Sequence, residues 1–96
     1  MKAYTFNEFY IPERMTDGIL RWIEHGIVPG SFLQAVIENN LQAAVGRADE
    51  ENMRNLPAYV GYFYNEAPQG CWGHKGVIKE WKAKKEKERA QGERSE

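Results

Sequence analysis

Apolar residues recur at helical spacing through most of the chain, and the longest such stretch runs from Pro29 to Val45. Phe32 and Val36 lie on one side of it with Ala43, and the adjoining side carries Leu33, Ile37, Leu41 and Ala44. Spacings of three, four and seven residues are typical of an amphipathic helix with a broad apolar face. The sequence therefore predicts a central helix over about 30–46, on which the other helices pack.

Shorter segments on both sides predict further helices. Pro12 opens a segment with inward positions at helical spacing, and Gly26 ends it, which predicts a helix over 12–25. Asp49 is a favourable N-cap, but Pro57 lies too deep for one regular helix beginning there. We therefore predict a short helix over 50–55 and a second over 57–66. A last helix is predicted from about Lys75, with apolar anchors only as far as Trp81.

The two ends of the chain differ from this pattern. Residues 1–11 contain four aromatic side chains, with Tyr4 and Phe6 alternating against polar neighbours, which predicts an extended arm or one short strand. Such a strand needs a partner, either Gln69–Trp72 or another subunit. Residues 82–96 have no apolar stripe, so we predict an exposed, charged helix that frays to disorder near Gly92. The predicted fold class is all-α: four to five short helices over 12–81, with an N-terminal arm and a C-terminal tail.

Charge is distributed unevenly along the 96 residues, although the net charge is only −1. Residues 1–73 carry five Lys or Arg and nine Asp or Glu, a net of −4, whereas residues 74–96 carry eight and five, a net of +3. An acidic body disfavours binding of nucleic acid by the whole protein. The opposite charges of the two parts could instead attract one copy to another.

The location follows from what the sequence does not contain. One cysteine excludes an internal disulfide and fits a reducing compartment. No stretch resembles a signal peptide, and no apolar run approaches the ~20 residues that a membrane span needs. We predict a cytoplasmic protein without a membrane partner.

Two stretches together resemble a group of short proteins encoded by tailed bacteriophages and prophages. They are GIVPGSFLQAVIENNLQAAVGRADEEN, residues 26–52, and LPAYVGYFYNEAPQGCWG, residues 56–73, and the likeness extends weakly to IPERM at the start of the first helix. The resemblance covers roughly the middle half of the chain and brings no known activity with it. It implies a small accessory protein in a bacterial cell, of a kind that often binds a host factor or a signalling nucleotide.

A polar cluster around the end of the central helix is the first candidate binding site. Asn39 and Asn40 disfavour helix where the pattern places them, and Arg47, Asp49, Glu50 and Asn52 follow closely. These side chains could line a pocket that recognises a polar ligand. The favoured interpretation is structural: one asparagine faces solvent, the other bonds the chain entering at Asp49, and Arg47 pairs with Asp49.

The loop over 69–76 is the second candidate. Its glycines and Lys75 could bind an anion at a helix start, but the pattern lacks the GK[ST] ending of a phosphate-binding loop. A tight turn that seats Trp72 is the favoured interpretation. Cys71 and His74 have the spacing of two zinc ligands, but the two further ligands that a zinc site needs are missing. As a nucleophile and base they would also need an orienting group and an oxyanion donor, which the sequence does not identify. We therefore predict that Cys71 is a structural thiol. The sequence predicts no catalytic residue, metal or cofactor.

The number of aromatic residues points to an interface. A domain of this size cannot bury all of Trp22, Tyr59, Tyr62, Phe63, Tyr64, Trp72 and Trp81, so we predict that some lie where another subunit or a partner binds. Tyr62 is predicted to face outward, opposite Phe63; the alternative is that the tyrosines only border the core, with their hydroxyls in water. The predicted function is a non-enzymatic phage accessory protein that forms homo-oligomers and binds a host protein or a small signalling nucleotide. The alternative is an auxiliary nucleic-acid-binding protein that uses the basic C-terminal helix.

Overall fold

Six helices and one short β-hairpin make up residues 4–94, the part of the chain that this computed structural model describes. In chain order they are β1 (Thr5–Phe6), β2 (Phe9–Tyr10), α1 (Glu13–His25), α2 (Ser31–Ile37), α3 (Leu41–Arg47), α4 (Glu50–Arg54), α5 (Leu56–Asn65) and α6 (Val77–Arg94). The predicted helical fold class is confirmed. None of these helices is both long and apolar enough to cross a lipid bilayer.

The predicted central helix is divided in two, because Asn39 interrupts it. Asn39 has a left-handed backbone (φ 59°), a conformation that asparagine tolerates better than most residues. The Asn39 N–H donates to the Val36 carbonyl (3.0 Å) and the Asn40 N–H to the Ala35 carbonyl (2.8 Å), the hydrogen-bond pair of a Schellman helix end. The Asn40 side chain then accepts a hydrogen bond from the Ala43 N–H (3.1 Å). One asparagine therefore ends α2 and the next begins α3.

These two asparagines should respond differently to substitution. Asn39→Gly is expected to preserve or slightly raise stability, because glycine is the preferred residue in this left-handed position. Asn40→Ala removes the acceptor at the start of α3 and should cost about 1 kcal/mol. Urea unfolding measures both, with the exposed Gln42→Ala in the same helix as the control. An Asn40→Ala protein as stable as the unsubstituted chain would contradict the capping role.

The N-terminal arm forms its own strand pair. β1 and β2 pair antiparallel, with Thr5 opposite Tyr10 and Phe6 opposite Phe9, around a tight turn in which Asn7 has a positive φ of 56°. Gln69–Trp72, one of the two partners considered for the arm, does not pair with it, because the arm is long enough to fold back on itself. The hairpin lies on α5, and Met1–Ala3 are outside the described residues.

The helix boundaries at proline and glycine are close to those predicted. Gly26 ends α1 with a left-handed backbone (φ 69°), and Asp49 caps α4 by accepting a hydrogen bond from the Asn52 N–H (2.8 Å). Leu56–Asn65 forms α5 with Pro57 in its first turn. Sequence patterns therefore define most helix ends within two residues.

The core lies between α1, α2, α5 and the first turns of α6. Its fully buried side chains include Ile19, Trp22, Ile37, Tyr59, Phe63, Cys71 and Val77. Trp81 joins α6 to α1, since its indole N–H donates to the carbonyls of Trp22 (3.0 Å) and Ile23 (3.3 Å).

The basic helix α6 packs against the end of α1 and is not a free tail. A Cβ at Gly26 would lie 2.9 Å from the Lys85 Cβ, and the Arg89 guanidinium donates to the His25 carbonyl (3.3 Å). Cations are favourable beside the carbonyls that end a helix. The structure describes α6 as helical to Arg94, past the predicted fraying at Gly92; Ser95 and Glu96 are outside the described residues.

Candidate protein-binding site

The structure brings Asn39, Asn40 and Lys75 together around a polar cleft of about 540 Å³ that Glu38 and His74 also line. The Gly73 N–H donates to the Ile37 carbonyl (2.7 Å), which holds the glycine loop against the end of α2. The side chains of the cleft are mostly exposed, and His74 pairs with Glu80 (Nε2–Oε1 3.1 Å). In the described part of the chain, no buried side-chain nitrogen or oxygen lacks a hydrogen-bond partner.

Arg47 and Asp49 do not form the predicted pair with each other. The Arg47 guanidinium donates to the Ser31 carbonyl (3.1 Å) and so joins α3 to the start of α2. The Asp49 carboxylate accepts a hydrogen bond from the guanidinium of Arg14 on α1 (2.9 Å). Both residues therefore fix junctions between helices, as the structural interpretation of the polar cluster requires. Their hydrogen-bond partners, however, differ from the predicted ones.

A polar clamp extends from Asp49 to the hairpin. Glu51 accepts hydrogen bonds from the Tyr10 hydroxyl (2.7 Å) and from Arg14 (3.3 Å). The bond from Tyr10, with the charge of Arg14, lowers the pKa of Glu51. The Asn52 N–H and Arg14 lower the pKa of Asp49. The clamp joins α1, α4 and the hairpin through the Arg14 guanidinium, two carboxylates and the Tyr10 hydroxyl, which already bond to one another.

Tyr62 is buried, contrary to the prediction that it faces outward. Its ring packs edge-on against Tyr4 (centroids 5.3 Å apart) and Phe63 (5.6 Å), and burial raises the pKa of its hydroxyl. The outward aromatic residue of α5 is Tyr64, whose exposed fraction is 71%. Because α5 is apolar on nearly all sides, spacing alone does not identify its inward face.

Cys71 is a buried structural thiol. It is fully covered, and this burial raises its pKa to about 11, so the unreactive thiol form dominates at neutral pH. The Cys71 carbonyl accepts a hydrogen bond from the Trp22 indole (2.9 Å). Within residues 4–94, no three His, Cys, Asp or Glu side chains are arranged to hold a metal ion.

Sequence reasoning missed an exposed apolar groove in the described part of the chain. This apolar groove has a volume of about 400 Å³ and is lined by Phe6, Leu41, Leu56, Pro57, Val60, Gly61, Tyr64 and Asn65. Residues from β1, α3 and α5 meet there, and none of them is charged. A contiguous apolar surface of this kind is characteristic of interaction sites.

Each wall of the apolar groove has a local structural cause. The break at Asn39 places Leu41 at the start of α3, where 64% of it is exposed, although periodicity assigned it to the core face. Gly61 lets the Phe6 ring lie directly on α5, because a Cβ at Gly61 would be only 2.7 Å from the Phe6 Cδ1. Val60 and Tyr64 are one turn apart on the outer side of α5. The one sequence signal for the groove was the excess of aromatic residues.

Trp72 connects the apolar groove to the predicted site residues. It lines a recess of about 30 Å³ together with Asn39 and Asn40, and the recess shares Leu41, Leu56 and Val60 with the groove. Of the residues predicted for binding, Asn39, Asn40, Trp72 and Lys75 therefore lie beside the groove or its neighbouring cleft. Arg47, Asp49 and Tyr62 do not contribute to either.

Comparisons of this chain with protein-family models, curated proteins and solved structures found no match. The resemblance to phage proteins stays a prediction from the sequence. Interpretation of the site therefore depends on its geometry and chemistry.

Proposed function

We propose that this chain is a non-enzymatic interaction protein that binds a partner protein through the apolar groove. The observation that carries the proposal is the groove itself, in which three elements converge on an uncharged, exposed surface. The phage setting and a host protein as partner are part of the proposal and come from the sequence resemblance alone.

Burial of the apolar surface in the groove would favour binding of a partner. Leu41, Val60 and Tyr64 keep 64%, 48% and 71% of their surface in water. Burying a fully exposed apolar side chain contributes about 1.5–3 kcal/mol, so covering the part of each that is still exposed contributes the corresponding fraction, before the costs of association are subtracted. Tyrosine is well suited to an interface, because its ring can be buried while its hydroxyl stays hydrated.

A small signalling nucleotide is the second candidate ligand, and the polar cleft favours it. Asn39, Asn40 and Lys75 offer amide groups and one cation around a space of about 540 Å³. Amides can recognise a base and a lysine can pair with phosphate. Against this, Glu38 places a carboxylate in the same cleft, and most of the lining side chains are exposed.

The nucleic-acid alternative is weakened by the position of α6. Lys85 and Arg89 contact the end of α1, and the Lys84 and Lys85 ammonium groups lie 4.9 Å from the centre of the Trp81 ring. These cations already interact within the protein. Lys79, Lys82 and Lys87 remain exposed, and binding through them would weaken steeply with added salt.

A pull-down from bacterial lysate with matched lysine variants tests the proposed function. Val60→Lys places a charge in the groove on an exposed helical position, whereas Val28→Lys makes the same change at an exposed valine outside it. Proteins that bind through the groove should be retained by the unsubstituted chain and by Val28→Lys, and lost with Val60→Lys. Retention of the same proteins by all three baits would refute the groove as the binding site.

A further inference from the structure

In the outer row of α5, Val60 and Tyr64 are exposed and Leu56 and Pro57 are half-buried, and the spacing on the two sides of Val60 is similar. Leu56 and Pro57 lie at one end, Val60 in the middle and Tyr64 at the other end, with about one helical turn between them. A second α5 that crosses antiparallel would place Val60 against Val60 and each Tyr64 against the Leu56–Pro57 end of the other copy. The geometry points to a second copy of this chain as the partner that fills the groove, in an isologous dimer; this inference rests on the proposed function.

Electrostatics favour a copy of the same chain over a charged partner. Near a two-fold axis each residue meets itself, so any charge at the centre of the contact would repel its own copy. None of the eight lining residues carries a charge. The net charge of −1 for the whole chain also leaves little long-range repulsion between copies.

The groove presents a projection and a recess on the same face. The Tyr64 ring projects with 71% of its surface exposed, beside a space of about 400 Å³ between the hairpin, α3 and α5. Under two-fold symmetry both projections are inserted at once, so a single arrangement fills both recesses. A face that is complementary to itself in this way is what an isologous contact requires.

The available area suits a weak dimer. A standard stable interface covers about 800 Å² on each partner, roughly an eighth of this chain's 6290 Å². Such an interface has about 20–30 residues on each side, whereas the groove offers eight, or nine with Val45, which lies one turn after Leu41 on α3 and is 40% exposed. We therefore expect a dimer that forms at micromolar concentration and dissociates on dilution.

Light scattering after size-exclusion chromatography, from low micromolar to millimolar concentration, tests the dimer. The unsubstituted chain and Val28→Lys should shift together from monomer to dimer as concentration rises. Val60→Lys should stay monomeric through the micromolar range, since symmetry places the substitution in the interface twice and should raise the dissociation constant about 100-fold. Circular dichroism verifies that both variants keep the helical fold.

A cysteine pair provides an independent test that does not require disrupting the contact. Val60→Cys should form an intermolecular disulfide under mild oxidation, because the two positions meet at the axis. Val28→Cys should stay unlinked at the same concentration. The native Cys71 does not interfere, because it is fully buried and its thiol is poorly ionised.

The outcomes separate this inference from the proposed function. A chain that stays monomeric at millimolar concentration, or a Val60→Lys variant that dimerises as readily as Val28→Lys, overturns the symmetric dimer. If the chain is monomeric but loses a captured lysate protein on Val60→Lys substitution, the groove binds a different protein and only the dimer is refuted. If dimerisation responds to Val60→Lys and the Val60→Cys disulfide forms, the second copy is the partner.

Discussion

Trp22→Ala is expected to destabilise the protein by about 3–5 kcal/mol, the usual cost of truncating a buried tryptophan to alanine. The Trp22 side chain is completely covered, and its indole N–H is bonded to the Cys71 carbonyl. Alanine would leave both a large cavity and a buried carbonyl without its donor. Since native proteins have a total stability of only about 5–15 kcal/mol, a substantial part of the margin would be lost.

Chemical unfolding followed by circular dichroism measures this effect, with Trp22→Phe as the matched control. Phenylalanine keeps most of the apolar volume and removes the N–H group, so it should cost about 1–3 kcal/mol. The order of stability should be unsubstituted chain, Trp22→Phe, Trp22→Ala. An alanine variant no less stable than the phenylalanine variant would show that packing around Trp22 is not the main contribution.

The helix ends could be predicted because they depend on single residues with strong local effects. Gly26 can adopt the left-handed conformation that ends α1, and Asp49 can accept a hydrogen bond from the backbone of α4. Both effects act within one turn of the chain, so the sequence contains all the information they require. The predicted helix over 12–25 and the pair over 50–66 therefore match α1, α4 and α5.

The division of the central helix could not be predicted from apolar periodicity. The apolar pattern continues through Asn39 and Asn40 in register, and it predicts one helix whether or not the backbone is interrupted. The two asparagines were recognised as unfavourable within a helix, but their individual roles depend on the hydrogen bonds to Val36, Ala35 and Ala43. The asparagine side chain hydrogen-bonds to nearby backbone groups in non-helical conformations. This property disfavours asparagine inside a helix and favours it at helix ends such as the two found here.

The candidate site was missed for a different physical reason. The groove exists because a strand, a helix start and a helix face meet, and their sequence separations run from 15 residues to more than 50. Tyr62 and Tyr64 are both tyrosines on one helix, and only the packing of Tyr62 against Tyr4 distinguishes the buried ring from the exposed one. The surplus of aromatic residues predicted an outward ring on α5, and that ring is Tyr64, not Tyr62 as predicted. The interface inferred from it stays a prediction.

Gly61→Ala is expected to destabilise the contact between the hairpin and α5, even though alanine is a better helix former than glycine. A Cβ at this position would lie 2.7 Å from the Phe6 Cδ1 and 2.9 Å from its Cγ, so the aromatic ring must move away. Overpacking of this kind typically costs about 1–3 kcal/mol, more than the ~1 kcal/mol that alanine gains in helix propensity. Limited proteolysis near Asn7 and chemical unfolding should both report a loosened hairpin.

A double-mutant cycle with Phe6→Ala determines whether the ring is the cause. Phe6→Ala alone removes apolar contact with α5, but it also frees the space that a methyl group at residue 61 needs. In the Phe6→Ala background, Gly61→Ala should therefore be neutral or stabilising, giving a coupling energy of about 1–3 kcal/mol between the two positions. Gly46→Ala is the matched control, because a Cβ there meets no atom within 4 Å, and it should raise stability in both backgrounds. If the costs of Phe6→Ala and Gly61→Ala were additive, the Phe6 ring would not be the reason that residue 61 must be glycine. Other contacts of the hairpin would then hold Phe6 and Gly61 in place beneath the groove.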